Sequence, residues 1–128
     1  MLRAARQAVA TGADLDAARE LQDTAVAAAR TAADTEHALR TAWLGGIAGD
    51  LAAELEPGCP CPVCGAEEHP APARTGAEHV GRDAVEAAES ARRGAEQSVT
   101  EVSAEVATLA ERLDGLLRTA GGVTPGDA

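Results

Sequence analysis

Near the middle of this chain of 128 residues stands the stretch Pro57-Gly58-Cys59-Pro60-Cys61-Pro62-Val63-Cys64-Gly65, followed by Glu68-His69-Pro70. On both sides the sequence is alanine-rich, acidic and helical in pattern. A compact loop that carries thiols therefore interrupts what would otherwise be one long helix. We predict an all-α fold, an antiparallel two-helix coiled-coil hairpin with a metal-binding loop at its tip.

The composition supports a thin helical structure rather than a globular core. The chain has one Trp and neither Phe nor Tyr, and most of its 45% apolar residues are alanine, which buries little area per side chain. A thick core cannot be built from such residues. A two-helix coiled coil can, because its seam needs only one or two apolar residues per turn and tolerates alanine.

The charge of the chain argues against several functions. The formal net charge is -10, and the sequence contains no lysine. Phosphate binding depends on clustered cations, so we expect no direct nucleic-acid binding by this segment and no phosphate-binding loop of the GxxxxGK[ST] type. No run of about 18 apolar residues exists, which predicts no membrane span. The start of the chain does not follow a signal-peptide pattern, and three clustered cysteines fit a reducing cytoplasm.

The pattern along the chain divides it into four segments. Residues 1–56 are predicted to form the first coiled-coil arm, residues 57–74 the loop, residues 75–120 the second arm and residues 121–128 a frayed tail. Thr11-Gly12, followed by an acidic residue, predicts a possible break and restart of the first helix. The second arm begins at a capping box, Thr75-Gly76-Ala77-Glu78. Counted from the possible break at Thr11-Gly12, the two arms have matched lengths, as a folded-back hairpin requires.

Apolar residues at alternating steps of three and four predict which face of each arm packs. In the first arm this seam is Leu21, Ala25, Ala28, Ala32, Thr35, Leu39 and Ala42, with Leu44, Ile47, Ala48, Leu51 and Leu55 nearer the tip. In the second arm it is Val85, Ala88, Ala95, Val99, Val102, Val106, Leu109, Leu113 and Leu116, with Arg92 as a weak layer. Antiparallel pairing then predicts that Leu44, Ile47 and Leu51 face Ala88, Val85 and Gly81. We expect Trp43 to pack on the coil.

The loop contains the residues with metal-binding chemistry. Cys61-Pro62-Val63-Cys64 is a CxxC pair followed directly by Gly65, so two thiolates can turn inward on one knuckle and bind a tetrahedral metal. Zinc is the ion that thiolates in a closed tetrahedral site favour. One CxxC supplies only two of the four ligands of structural zinc, and the chain has no second CxxC.

Three arrangements could complete this site. Two copies of the chain could each contribute Cys61 and Cys64 to one shared zinc. One chain could use Cys59, Cys61, Cys64 and His69, although the single stiff residue between Cys59 and Cys61 is shorter than the usual ligand spacing. The CxxC could also be a metal-free redox pair, although the βαβ context of thioredoxin-like motifs is missing.

The loop and its flanks resemble the zinc-hook segment of the bacterial SbcC family, SMC-like ATPases of DNA double-strand-break repair and exonuclease complexes. The resemblance covers about sixteen residues, from Leu55 to Pro70, in which the family pattern is approximately LxxGxPCPVCGSxxHP. Here Ala66 replaces the usual Ser, and Cys59 occupies a variable position. The PCPVCG core with a downstream His-Pro is far more specific than a bare CxxC.

The resemblance implies a function in tethering. It implies that Cys61 and Cys64 bind one Zn²⁺ per two chains and join two coiled-coil tips as a homodimer, while His69 has a role in the turn or beside the ligands. It also implies that this is the central slice of a longer cytoplasmic, nucleoid-associated chain. ATPase heads elsewhere in that chain would hydrolyse ATP, bind DNA and hold an SbcD-like nuclease subunit. We therefore expect no enzymatic activity from the segment alone.

Overall fold

Two helices and the loop between them make up the computed structural model, which describes residues 2–74 and 79–121. Helix α1 spans Leu2–Ala53, and helix α2 spans Arg82–Gly121. No strand occurs in these described residues. The all-α helical hairpin predicted from the composition and the central loop is confirmed.

Side-chain contacts between the helices show that they run antiparallel in the part of the hairpin nearest the loop, residues 32–92. Glu36 of α1 forms an ion pair with Arg92 of α2, and further along α1 the ring of Trp43 lies 5.8 Å from the guanidinium carbon of Arg82. A higher residue number on α1 is thus matched by a lower number on α2. The Trp43 contact is a cation–π interaction at the first residue of α2.

Residues 2–31 and 93–121 form the second compact part of the hairpin. Gln22 of α1 donates a hydrogen bond of 3.0 Å to the hydroxyl of Ser103 of α2 there. The buried residues of α1 in this part repeat at steps of four and three, and they are Ala4, Ala8, Thr11, Leu15 and Ala18. This repeat is the heptad of a coiled coil, filled mainly by small side chains on α1.

The seam of α2 agrees with the prediction from the sequence. Its predicted apolar positions are all buried or half-buried, and Val85 and Ala88 are the most enclosed, with 4% and 7% exposure. Arg92 lies in the same seam. There it bonds to Glu36, which also accepts a bond of 3.1 Å from Arg40. The Arg40 bond is the largest cause of a lowered pKa for the Glu36 carboxyl, and Arg92 lowers the pKa further against partial burial.

The predicted seam of α1 was wrong at every second position. Leu21, Ala28, Thr35 and Ala42 are exposed, and Leu21 is 63% exposed. The positions one residue later are half-buried in their place, and they are Gln22, Ala29, Glu36 and Trp43. The prediction favoured apolar residues, whereas the seam accepts Gln22 and Glu36 because Ser103 and Arg92 of α2 satisfy their polar groups.

The predicted contacts near the tip were also wrong, because the prediction again placed the larger aliphatic residues in the seam. Leu44 and Leu51 are more than half exposed and Ile47 is 37% exposed, so these residues do not form the covered face opposite Val85 and Ala88. The enclosed positions of α1 in this region carry Trp43, Gly46, Gly49 and Ala52. An apolar stripe on α1 is therefore left facing solvent beside the loop.

Two predicted helix boundaries also differ from the structure. Helix α1 passes through Thr11 and Gly12 without a break, because Thr11 is buried in the seam at 5% exposure rather than capping a new helix. Packing thus overrides the local capping signal. The predicted capping box at residues 75–78 lies outside the described residues, and residues 79–81 are not helical, so α2 begins at Arg82. Of the predicted tail, residues 121–128, Gly121 is the last residue of α2, and residues 122–128 lie outside the described residues.

Among the helices of the described ranges, neither contains a stretch that is both long enough and apolar enough to span a bilayer.

Candidate metal centre

A tight backbone knuckle presents the two CxxC cysteines. The amide of Gly65 donates to the carbonyl of Cys61 at 2.8 Å, and the amide of Cys61 donates to the carbonyl of Ala66 at 2.9 Å. Gly65 adopts a φ of +77°, a left-handed conformation that glycine reaches without a steric penalty. These bonds turn the chain back on itself, so Cys61 and Cys64 are held on one side of the knuckle. Because Ala66 contributes its carbonyl only, its replacement of the usual Ser leaves this bond intact.

Three side chains of the loop bring metal-ligating atoms together. The sulfur atoms of Cys61 and Cys64 and a ring nitrogen of His69 all lie within 4.8 Å of one another. Within this group, Cys64 Sγ and His69 Nε2 are 3.3 Å apart. Cys61 and His69 are half-buried, whereas Cys64 is exposed. Two sulfurs and an imidazole nitrogen are the donor set that zinc prefers, so the residues present fit this ion.

Backbone amides prepare Cys61 for metal binding. The hydrogen bond from the Cys64 amide lowers the pKa of the Cys61 thiol, and the Val63 amide, which lies 3.4 Å from Cys61 Sγ, lowers the pKa further. Partial burial opposes this shift without cancelling it. The thiolate is the form that binds metal, and amides that stabilise it reduce the cost of deprotonation.

Cys59 is separate from this cluster. Its amide donates to the carbonyl of Glu56 at 3.1 Å, and its Sγ lies 3.7 Å from the Glu56 carboxylate. The side chain is exposed. The structure therefore does not bring Cys59 together with Cys61, Cys64 and His69, as the four-ligand arrangement within one chain would require.

An open, mainly apolar groove of about 670 Å³ lies beside the cluster. The end of α1 and the loop line it, including Leu51, Leu55, Val63 and Pro70, and Cys61 and His69 reach its wall. Val63, between the two cysteines, is 80% exposed. Two of the three side chains of the cluster, Cys61 and His69, thus adjoin apolar surface on one side.

Sequence reasoning singled out Cys61 and Cys64 from their spacing and gave His69 a role in the turn or beside the ligands. The structure places His69 Nε2 against Cys64 Sγ. The four residues between Cys64 and His69 are enough to let the chain turn back, but this spacing alone does not determine whether His69 reaches Cys64. Which of these residues bind metal stays a prediction.

A comparison with curated proteins supports the resemblance carried by the loop motif. The SbcC subunit of the nuclease SbcCD from Rhodobacter capsulatus is 47% identical to this chain over 55 residues. Those residues are 43% of this chain, and the chain spans only about 4% of the length of that relative. The chain contains an SbcC-like segment. No family model and no solved structure matches it.

The described residues form two helices and their connecting loop, and they contain no ATPase fold. What their geometry offers is a cysteine and histidine cluster at one end of a helical hairpin. Such a cluster can hold a soft divalent cation.

Proposed function

We propose that this segment tethers two copies of a longer SbcC-like chain by sharing one zinc ion between Cys61 and Cys64 of each copy. The observation that carries the proposal is the clustering of both sulfurs on one knuckle at the loop end of the hairpin. The identity of 47% with the SbcC subunit of a nuclease supports it.

The number of ligands favours two copies. Structural zinc takes four protein ligands, and each copy offers two thiolates on its knuckle. A two-fold axis through the metal would bring the same two residues from both copies, which gives a closed Zn(Cys)4 site. Cys59 points to Glu56 and does not compete for this position.

Apolar surface beside the cysteines supports the same arrangement. A shared metal would hold two loops within a few ångströms of one another, so the groove lined by Leu51, Leu55 and Val63 would lie at the contact between copies. The surface that lines the groove has a small area compared with the area buried in the interface of a stable dimer. Metal–thiolate bonding would therefore supply most of the association energy, and removal of the metal would separate the copies.

The proposal gives the segment a structural and not a catalytic role. In a longer chain, ATP hydrolysis, DNA binding and contact with an SbcD-like nuclease subunit would belong to other domains, in the cytoplasm near the nucleoid. The segment itself, with a net charge of -10, would not bind DNA directly.

Native mass spectrometry with half an equivalent of zinc tests the tether. We expect two chains holding one zinc, and Cys64→Ser should abolish this species because a hydroxyl is a poor zinc ligand. Cys59→Ser is the matched control, since the same atom is replaced in the same loop outside the cluster.

Three results would contradict the tether. Dimers that persist in Cys64→Ser would remove the metal site as their cause. A single chain with one zinc under these conditions would favour a self-contained zinc module, to which the 3.3 Å approach of His69 to Cys64 lends support. Absence of zinc, with reversible Cys61–Cys64 oxidation, would favour a redox pair.

A further inference from the structure

We infer that His69 is a third zinc ligand in a single copy, so that the loop holds the ion with Cys61, Cys64 and His69 before a second copy arrives. This inference rests on the proposed tether and adds a one-copy state to it. Loss of the second copy would then return the zinc to a site of three protein ligands rather than release it.

The distances fit a shared metal ion. In a tetrahedral zinc site with bonds of about 2.3 Å to sulfur and about 2.0 Å to nitrogen, neighbouring donor atoms stand about 3.5–3.8 Å apart. Cys64 Sγ and His69 Nε2 are 3.3 Å apart, and all three donor atoms lie within 4.8 Å of one another. Adjustments of a few tenths of an ångström to about 1 Å would therefore complete the coordination geometry.

The loop fixes His69 in this position. His69 is half-buried and precedes Pro70, which restricts the backbone of His69 to extended conformations. Cys59, the other candidate for a third ligand, is exposed, and its sulfur lies beside Glu56. The single-copy site is therefore Cys2His with its fourth position open to water, the ligand number of an open zinc site.

Joining two copies would then replace His69 and water at the zinc by Cys61 and Cys64 of the second copy. The two thiols of that copy would give their protons to solvent or to the released imidazole of His69. No electron is transferred, and the zinc would have four ligands before and after the exchange.

His69 would make the dimer more sensitive to excess zinc than a site of cysteines alone. When zinc exceeds the number of chains, every loop fills its own Cys2His site and no metal-free partner remains. The dimer should therefore be most abundant near half an equivalent of zinc and decline in excess zinc. His69 would set the zinc concentration at which this decline begins.

Zinc titration followed by sedimentation velocity tests the inference, with His69→Ala compared with His79→Ala. Both variants remove an imidazole, but His79 is exposed and lies outside the cluster. We expect the native chain and His79→Ala to lose their dimers as zinc rises past one equivalent. His69→Ala should keep its dimer at a larger excess of zinc, because a loop with two thiolates binds its own zinc less tightly than a loop with two thiolates and an imidazole.

The affinity of the separated chain for zinc provides a second measurement, made by competition with a chromophoric chelator at concentrations where dimers do not form. We expect His69→Ala to bind about tenfold or more weakly than His79→Ala, at least the effect of losing a group beside a ligand. Equal affinities and equal titration curves would overturn the role of His69 while leaving the tether intact. Failure of all three proteins to dimerise at half an equivalent would instead overturn the tether. Circular dichroism checks that each variant keeps its helices.

Discussion

At the scale of single residues, Gly65 connects backbone geometry to metal binding. Its φ of +77° allows its amide to reach the carbonyl of Cys61 at 2.8 Å, which closes the knuckle that presents both sulfurs. A residue with a Cβ in this conformation costs about 1–2 kcal/mol. The loop has little apolar packing to hold it in place, so a substituted loop can relax when no metal is bound. The cost would then fall on the metal-bound state.

Gly65→Ala should therefore weaken zinc binding about 5- to 30-fold, the equivalent of that strain. Isothermal titration calorimetry of zinc into the reduced protein measures this change. Gly46→Ala is the matched control, because Gly46 lies within α1 and an added Cβ meets no atom within 4 Å. Unchanged affinity in Gly65→Ala would show that the left-handed conformation is not needed in the bound state.

Among the single residues of the cluster, some positions follow from the sequence and others do not. The closeness of Cys61 and Cys64 was predictable because a CxxC followed by glycine is a local motif whose geometry depends on few bonds. The approach of His69 to Cys64 was not, because it depends on the path of the four residues between them. This path is Gly65-Ala66-Glu67-Glu68, and these residue types do not specify its direction.

At the scale of the helices, the two seams differ in how well the sequence predicted them. The seam of α2 was predictable because Val and Leu recur on one face and contrast with the charged residues around them. On α1, alanine occurs on every face and gives no contrast. The seam there contains Gln22 and Glu36, whose partners Ser103 and Arg92 are known only once the helices are paired.

Two substitutions distinguish the observed packing of α1 and α2 from the predicted one. Val85→Ala should lower the free energy of unfolding by about 2 kcal/mol, because it removes methyl groups that are 4% exposed. Leu44→Ala should change that free energy by less than about 0.5 kcal/mol, because Leu44 is 55% exposed. Urea denaturation of the metal-free protein, followed by circular dichroism, measures both.

Leu44→Ala is itself the control for Val85→Ala, since each variant shortens an aliphatic side chain near the loop. A loss for Leu44→Ala as large as that for Val85→Ala would restore the predicted contact between Leu44 and α2. The exposed stripe of Leu44, Ile47 and Leu51 would then be part of the seam.

At the scale of the whole molecule, composition and chain organisation predicted the hairpin, and the loop motif predicted a group of side chains that could hold a metal ion. The sharing of a metal depends on more than one chain, because Cys61 and Cys64 fit both the three-ligand site of a single copy and half of a four-cysteine site. The decisive quantities are the ratio of zinc to chains and the energy of bringing two copies together. Charge contributes to that energy.

Two copies with a net charge of -10 each repel one another, and a zinc ion bound by four thiolates adds a net charge of -2 at their contact. Salt screens repulsion between exposed charges over about 10 Å at 0.1 M ionic strength. Zinc–thiolate bonds act at contact distance and are little affected. Raising the ionic strength from about 0.02 M to about 0.2 M should therefore tighten the zinc-linked dimer about threefold or more.

Sedimentation equilibrium at half an equivalent of zinc, in a salt whose anion does not bind zinc, measures this dependence. The double variant Glu67→Gln with Glu68→Gln removes two exposed negative charges next to His69 and should reduce the salt effect. A matched double variant on the far part of α2, Glu105→Gln with Glu111→Gln, changes the net charge by the same amount. This variant should retain most of the salt effect. Dimers that weaken with salt would mean that oppositely charged surfaces, and not the metal, draw the copies together, because only attraction between charges is lost on screening.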